Sequence, residues 1–330
     1  MRALQITAPE RFEIVDIEEP SPAEGEISIR MDAATICNQH DSKMLAGPHT
    51  KYPLEAGFPG HEGAGEVVAV GPGVGELSVG DRVVTSGIGG PPLYRELVTR
   101  KESTAVKYSS AAPAAEMAPL ELFGCVHKAV KLASSVEGRR VAVVGLGPAG
   151  LACCQLLAAC GAAEIIALDL DESRLGPAAE CGATEALNAE RFGPVGAALE
   201  RLMRHEPPPP EAAELMGELR DGFAPLVIEC SGSPRSLETS FVLAGEELVI
   251  FGYTDEPFTG WQPVWFQRGL TIRNSRALSL DDLRAVTALA DEGRITPGRL
   301  VTTTMPFERY GEAVANIREK DATKIALLWE

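Results

Sequence analysis

The thiol of Cys37 and the imidazole of His61 are the side chains of this sequence best suited to holding a divalent metal. Cys37 ends a strand-like run, DAATIC, and Gly60-His61-Glu62 follows 24 residues later, just ahead of another run, GEVVAVG. A thiolate and a neutral imidazole are good zinc ligands, and a site with three protein ligands keeps one coordination position for water or a substrate oxygen. Glu121, in APLELFG, offers a carboxylate able to complete that shell or exchange within it. Each residue also has an ordinary explanation: Cys37 as a buried thiol, His61 as a satisfied loop imidazole, Glu62 as a surface carboxylate, and Glu121 as a solvated helix residue.

A second chemistry is written in Gly145-Leu146-Gly147-Pro148-Ala149-Gly150, which follows an apolar run and opens a helical stretch. In that setting the first glycine permits a tight turn, the second lets the backbone approach a pyrophosphate, and the third allows close helix–strand packing. The helix N-terminus adds unpaired N–H groups and the positive end of its dipole. Asp169, 24 residues after Gly145 at the end of the next strand, is placed to accept hydrogen bonds from both adenosine ribose hydroxyls. Its charge repels a 2′-phosphate, so NAD is favoured over NADP. Arg174 either meets the ribose edge or lies solvated on its helix.

The elements that must carry these residues change character along the chain. Up to about Thr99 the text is short strands broken by Gly and Pro (EISIRMDAATI, GEVVAVG, DRVVTSG, LYRELVT), the pattern of a compact, mostly β domain. From Gly138 strands and helices alternate: VAVVG, PAGLACCQLLAACG, EIIALDL, DESRLGPAAECG, PLVIECSG, a helical stretch to Ala244, and ELVIFGY. That order describes a doubly wound parallel sheet. Pro207 to Pro210 predict an extended excursion before the helix EAAELMGELRDG. The helices SLDDLRAVTALADEG and PFERYGEAVANIREK and the strand KIALLW close the sequence. QPVWFQRGLTIRN reads as an edge strand able to pair across a dimer, or as a plain internal strand.

Composition narrows the partners. Of 330 residues, 47 are acidic and 30 basic, and the net charge of -17 disfavours nucleic acid and anionic lipid. The longest apolar stretch, Ala149 to Leu170, is interrupted by Gly161 and carries Gln155 and Glu164, which suits a buried helix and strand better than a membrane span. Met1 to Glu19 shows no basic region leading into an apolar core, so a cytoplasmic protein is expected. The seven cysteines form no close CxxC pair, and Cys153, Cys154 and Cys160 read as small core residues of one helix.

Taken in order and spacing, Cys37, GFPGHEGAGEVVAVGPGV (57–74), GDRVV (80–84), GLGPAG (145–150), LDLDESRL (168–175), VIECSG (227–232) and RITPGRLVTTTMPFERYGEAV resemble the zinc-containing medium-chain dehydrogenase/reductase family. The similarity runs over essentially the full length and leans toward the polyol (sorbitol) dehydrogenase branch. It implies an α/β plus mostly-β fold: a GroES-like catalytic domain, residues 1–120 and 275–330, enclosing a Rossmann NAD-binding domain, residues 121–274, with the active site in the cleft between them. Cys37 and His61 match the family's catalytic zinc ligands, Glu62 the adjacent acid that ligates or moves away, and Glu121 a position held by glutamate in polyol dehydrogenases and cysteine in other members. Gly145, Gly147, Gly150, Asp169 and Arg174 match its cofactor-binding positions.

Two departures from the family stand out. Relatives with a structural zinc carry a four-cysteine lobe after the strand corresponding to DRVVTS; here GIGGPPLYREL contains no cysteine, so one catalytic zinc and no structural zinc are expected. In Cys37-Asn38-Gln39-His40-Asp41-Ser42, Gln39 stands where the family has the Ser or Thr whose hydroxyl relays the alcohol proton, and an amide does not readily pass a proton. His40, with Asp41 beside it, is the substitute, since imidazole titrates near neutrality; a structural role is the alternative.

The expected activity is hydride transfer between NAD and a small alcohol, polyol or ketone, in a homodimer or homotetramer. Two other readings compete. One is a metal-free quinone or enoyl reductase of the same fold, and the other a catalytically impaired NAD-binding regulatory protein.

Overall fold

The computed structural model describes residues 1–47, 51–87, 90–260 and 262–329. Strands β1 (Arg2–Ala8), β2 (Arg11–Asp16) and β3 (Glu26–Thr35) open the chain, followed by helix α1 (Asn38–Ala46). Next come β4 (Glu62–Val70), β5 (Arg82–Ser86), β6 (Leu97–Lys101), β7 (Ala105–Lys107), α2 (Ala114–Met117) and α3 (Leu120–Val130). The middle of the chain holds β8 (Arg140–Val144), α4 (Pro148–Ala159), β9 (Glu164–Asp169), α5 (Leu175–Glu180), β10 (Glu185–Asn188), α6 (Gly193–Met203), α7 (Pro210–Glu218), β11 (Ala224–Glu229), α8 (Pro234–Leu243) and β12 (Ala244–Ile250). Helix α9 (Gln262–Arg268), β13 (Thr271–Asn274), α10 (Leu280–Asp291), β14 (Val301–Pro306), α11 (Tyr310–Arg318) and β15 (Lys324–Leu328) complete it.

The chain divides into two compact units, Met1–Gly124 with Ser279–Glu330, and Cys125–Leu278. In the first, β3 organises a mostly antiparallel sheet in the order β14-β15-β3-β4-β5-β7, with β6 also paired to β3. Ten residues long, β3 serves three neighbours by segments: Glu26–Arg30 face β6, Ile27–Ala34 face β4, and Ala33–Thr35 face β15. Its alternate residues Ile27, Ile29 and Met31 are buried with Val67, Val83, Leu93 and Val98. Period-two alternation thus sets which face is core. A second cluster joins Leu4, Ile6, Ile36 and Tyr94 to Phe307, Tyr310 and Val314, fixing the closing residues of the chain to its opening ones.

The second unit is the expected doubly wound parallel sheet. Its order is β10-β9-β8-β11-β12-β13, and every pairing is parallel. The strand order reverses at β8, next to the glycine turn, which is where such sheets bind ligands. Apolar strands buried on both faces, such as Val141–Val144 and Ile165–Leu168, form its centre.

Several sequence expectations are corrected here. Within QPVWFQRGLTIRN only Thr271–Asn274 is strand, at the sheet edge, while Gln262–Arg268 is helical. A tertiary anchor decides that: the Arg268 guanidinium donates to the carbonyls of Val242 (2.6 Å), Ala244 (2.8 Å), Arg220 (3.0 Å) and Leu219. The proline run is extended only through Pro209, because Pro210 is the first residue of α7, where its missing N–H costs nothing. Cys153 and Cys154 are fully buried, but Cys160 caps α4 and is partly exposed. Among the described residues no helix is long and apolar enough to cross a membrane.

Candidate metal centre and glycine turn

Cys37 is placed by the end of β3 and the start of α1, where it is the N-cap residue. Its backbone is held from both sides by one residue: the Asp41 amide donates to the Cys37 carbonyl (2.9 Å), and the Cys37 amide donates to Asp41 Oδ2 (2.9 Å). Asp41 is wholly buried, and Tyr94 donates its hydroxyl to Oδ1 (2.8 Å). Burial pushes the Asp41 carboxyl up to about 6, with the charge of His61 and the Tyr94 and Cys37 hydrogen bonds opposing the rise. Asp41 follows His40 in the chain, and its carboxylate serves Cys37 and Tyr94.

His61 arrives from the turn before β4. A Cβ on Gly60 would lie 2.6 Å from the Tyr94 amide nitrogen, so only glycine lets that turn close onto Tyr94. The Nδ1 of His61 lies 2.9 Å from the Pro59 carbonyl. A carbonyl only accepts, so Nδ1 donates to it and Nε2 is the nitrogen left to ligate, the arrangement of a metal-ligating histidine oriented from behind. Ligand atoms of Cys37, His61 and Glu62 all lie within 4.8 Å of one another, and they are the compact metal-binding set found among the described residues. Burial alone would lower the His61 pKa, but the Cys37 hydrogen bond and charge, with the charges of Glu121 and Glu62, raise it well above the ordinary value.

Glu62, the first residue of β4, is buried and hydrogen-bonded at both oxygens. Its Oε2 accepts from the Thr35 hydroxyl and pairs with Lys324 Nζ at 2.8 Å; Nζ also donates to Oε1 (3.0 Å) and to the Ile36 carbonyl (3.0 Å). Lys324 is 1 % exposed. Burial would lower its pKa, yet Glu62, Cys37 and Glu121 raise it, so the ammonium stays charged. Thr35, Tyr94 and Lys324 are the site residues that sequence reading missed, and for Lys324 no local signal exists, since a lysine heading an apolar strand is commonplace.

Glu121, on α3, is buried rather than solvated. It lies outside the compact set, although its charge acts on His61 and Lys324. Gln39 is exposed on α1. His40 places its ring 5.1 Å from that of His61 and 5.5 Å from Phe58, both edge-on. Burial and the charge of His61 bring its pKa down to about 4, so His40 is neutral near pH 7, not titrating there. A cysteine sulfur, a histidine Nε2 and a carboxylate oxygen in one compact set match the donor preferences of zinc.

In the second unit Gly145 follows β8 at φ +90° and donates its amide to the Leu168 carbonyl (2.8 Å). A Cβ on Gly150 would fall 1.9 Å from the Gly145 carbonyl oxygen, whereas a Cβ on Gly147 would meet no atom within 4 Å. Asp169 Oδ2 accepts from the Leu146 amide (2.6 Å) and Oδ1 from the Asp171 amide (2.9 Å), so the carboxylate braces the turn it follows. Arg174 lies 3.5 Å from both Asp169 and Asp171, a third arrangement beside the two expected.

Residues 23–110 match the family model of the alcohol dehydrogenase GroES-like domain, and residues 148–292 match that of the zinc-binding dehydrogenases. A sorbitol dehydrogenase of Halalkalibacterium halodurans is 26 % identical, the alignment covering 96 % of this chain and 95 % of the relative. An alcohol dehydrogenase class-3 of Dictyostelium discoideum is 30 % identical over 67 % of each chain. The fold of an Escherichia coli CFT073 alcohol dehydrogenase, solved with NADH, superposes with a TM-score of 0.83 at 24 % identity, covering 100 % of this chain and 99 % of that one. The chain belongs to the zinc-type medium-chain dehydrogenase/reductase family of alcohol and polyol dehydrogenases.

Proposed function

We propose that this protein is an NAD-dependent, zinc-assisted dehydrogenase that passes hydride between NAD and the carbinol carbon of a small alcohol or polyol, or the matching ketone. The observation that carries the reading is the compact set of Cys37, His61 and Glu62, with His61 Nδ1 bound to the Pro59 carbonyl and Nε2 left to ligate. Lewis-acid polarisation of the substrate oxygen is the chemistry a zinc held there supplies. Cys37 and His61 are the assigned ligands, and Glu62 and Glu121 are the carboxylates available to the remaining position. One catalytic ion and no structural zinc are assigned, because GIGGPPLYREL lacks cysteine.

The chain's own groups do the rest. Asp41 fixes the Cys37 backbone, and Lys324 with Thr35 fixes the Glu62 carboxylate. Gly145, Gly147 and Gly150 shape the pyrophosphate turn, while Asp169 with Arg174 receives the adenosine ribose. Near the metal ligands, Gln39 is assigned to hydrogen bonding at the site entrance. His40, a neutral imidazole that can accept a proton on one nitrogen while releasing one from the other, is assigned to proton relay. The catalytic domain comprises residues 1–120 and 275–330 and the NAD domain residues 121–274, in a cytoplasmic homodimer or homotetramer.

Metal analysis of protein purified without chelator, with NADH absorbance across a panel of alcohols, polyols and ketones, tests the reading. Stoichiometric zinc and turnover lost in Cys37→Ala are expected. Full activity in Cys37→Ala removes the metal mechanism, and turnover of quinones or enones by zinc-free protein supports a metal-free reductase instead.

A further inference from the structure

Arg100 lies in β6 directly opposite Ile27 of β3, and it shares its strand face with Val98. Paired residues project to the same side of a sheet, so its side chain enters the cluster of Ile27, Ile29, Met31, Leu93 and Val98. The residue is 1 % exposed, and its Nε, Nη1 and Nη2 have no hydrogen-bond partner among the described residues. Guanidinium does not escape such burial by deprotonating; its pKa, lowered by burial and by the charge of Arg95, is still about 10. Arg95 brings no relief, because it is a second cation with donors only, and these go to the Ala56 carbonyl and Glu55.

A buried, unpaired charge is among the most costly features a core can carry, and it persists only where a counter-charge meets it. We propose that Arg100 is the anchor of an internal binding site for a small monovalent anion of the halide type. The lining decides the class. One guanidinium on a sheet face of aliphatic residues balances one negative charge and leaves a multiply charged oxyanion under-neutralised. Room is short as well: a Cβ on Gly90 would stand 2.4 Å from Nη1, so the Gly90 backbone lies against the guanidinium and leaves space for a small ion only.

The position gives the site a consequence. Gly87 donates its amide to the His61 carbonyl (2.7 Å), and Tyr94 binds Asp41, which in turn holds Cys37. Gly90 lies between them in sequence and packs on Arg100. Anion occupancy would therefore steady the residues from Gly90 to Tyr94, which lead to the Asp41 that holds Cys37.

The test uses the full-length protein in gluconate buffer at fixed ionic strength, with bromide replacing gluconate. Thermal melting should rise by roughly 2 °C for each tenfold of bromide above its dissociation constant. Arg100→Met should abolish that response, and Gly90→Ala should weaken it. A bromide-soaked crystal of the unaltered protein should show an anomalous peak against the Arg100 guanidinium, a readout that requires no variant to fold. The proposal is overturned by bromide-independent melting of the unaltered protein, by an undiminished response in Arg100→Met, or by a map in which water or main-chain carbonyls alone meet the guanidinium.

Discussion

Gly147 and Gly150 stand three residues apart in one turn, yet they should fail in opposite ways when given a methyl group. At Gly150 the new Cβ would sit 1.9 Å from the Gly145 carbonyl oxygen, over 1 Å inside any tolerable contact. Gly145 cannot simply retreat, because its amide is bound to Leu168 and the next amide, of Leu146, to Asp169. Overpacking against fixed backbone costs about 3 kcal/mol, so Gly150→Ala should melt earlier. At Gly147 the backbone already has φ -67° and ψ -171°, comfortable for alanine, and the Cβ meets nothing within 4 Å. Loss of a good N-cap residue, about 0.5 to 1 kcal/mol, is offset by the reduced entropy of the unfolded chain, so stability should barely change. Space kept empty of protein at a helix N-terminus is space for a ligand. Excluding a pyrophosphate from one charge-assisted N–H bond costs about 1.5 to 3 kcal/mol, or roughly 10- to 100-fold in affinity. Thermal melting paired with NADH fluorescence titration separates the two effects. Unchanged NADH affinity in Gly147→Ala would refute the assignment of this turn to the cofactor, and unchanged melting in Gly150→Ala would refute the steric argument.

Lys324→Met should cost about 3 to 5 kcal/mol, because it leaves the Glu62 carboxylate buried without its cation. In the cobalt-substituted protein it should also alter the visible absorption bands as Glu62 is released toward the metal; unchanged melting and spectrum together would dismiss the positioning role. Because the Cys37 hydrogen bond and the neighbouring negative charges raise the pKa of metal-free His61, a proton on Nε2 competes with the metal, so zinc affinity should fall as pH is lowered. Calorimetry in buffers of different ionisation enthalpy should report the released proton, and a buffer-independent heat would contradict it. Glu247, buried between Ser134, Arg139 and Arg273, has its carboxyl lowered to about 2: burial opposes the shift, and the Ser134 and Arg139 hydrogen bonds overcome it. A depressed carboxylate contributes stability that is present above its unfolded pKa near 4.5 and is lost as pH falls toward 2, roughly 3 kcal/mol in all. Glu247→Gln should flatten that acid limb in urea melts between pH 5 and about 2; an unaltered pH dependence would show that the carboxylate is not what the fold loses in acid.

What could be read from the sequence was chemistry carried by residue type and structure carried by short-range period. Cys37, His61 and Glu62 were legible as metal donors through their order and spacing rather than singly, and the glycine turn is recognisable because strand, turn and helix are contiguous. Helix α1 was hidden: its N-cap is a cysteine, which makes no side-chain cap, and its sequence NQHDSKMLA buries only Asp41 and Leu45. The strand EALN is too short and polar to stand out, and it exists because β9 offers it an edge. Helix α9 depends on carbonyls 24 to 49 residues away in sequence.

The least legible features are the buried charges, and the reason is physical. A lysine or arginine in a strand is read as solvated because isolated burial would cost more than the fold can supply. Lys324 is buried because Glu62, 262 residues earlier, meets it, and no window of sequence contains both. Arg100 shows the same logic with half the pair in view: alternation along LVTRK places it on the face of Val98, while its charge argues for the other face. In β6 the alternation prevailed. A period set by the backbone can be overruled by charge only if the charge has nowhere to be neutralised. The inward guanidinium therefore implies a counter-charge within reach, just as Lys324 would have implied Glu62 had it been seen first.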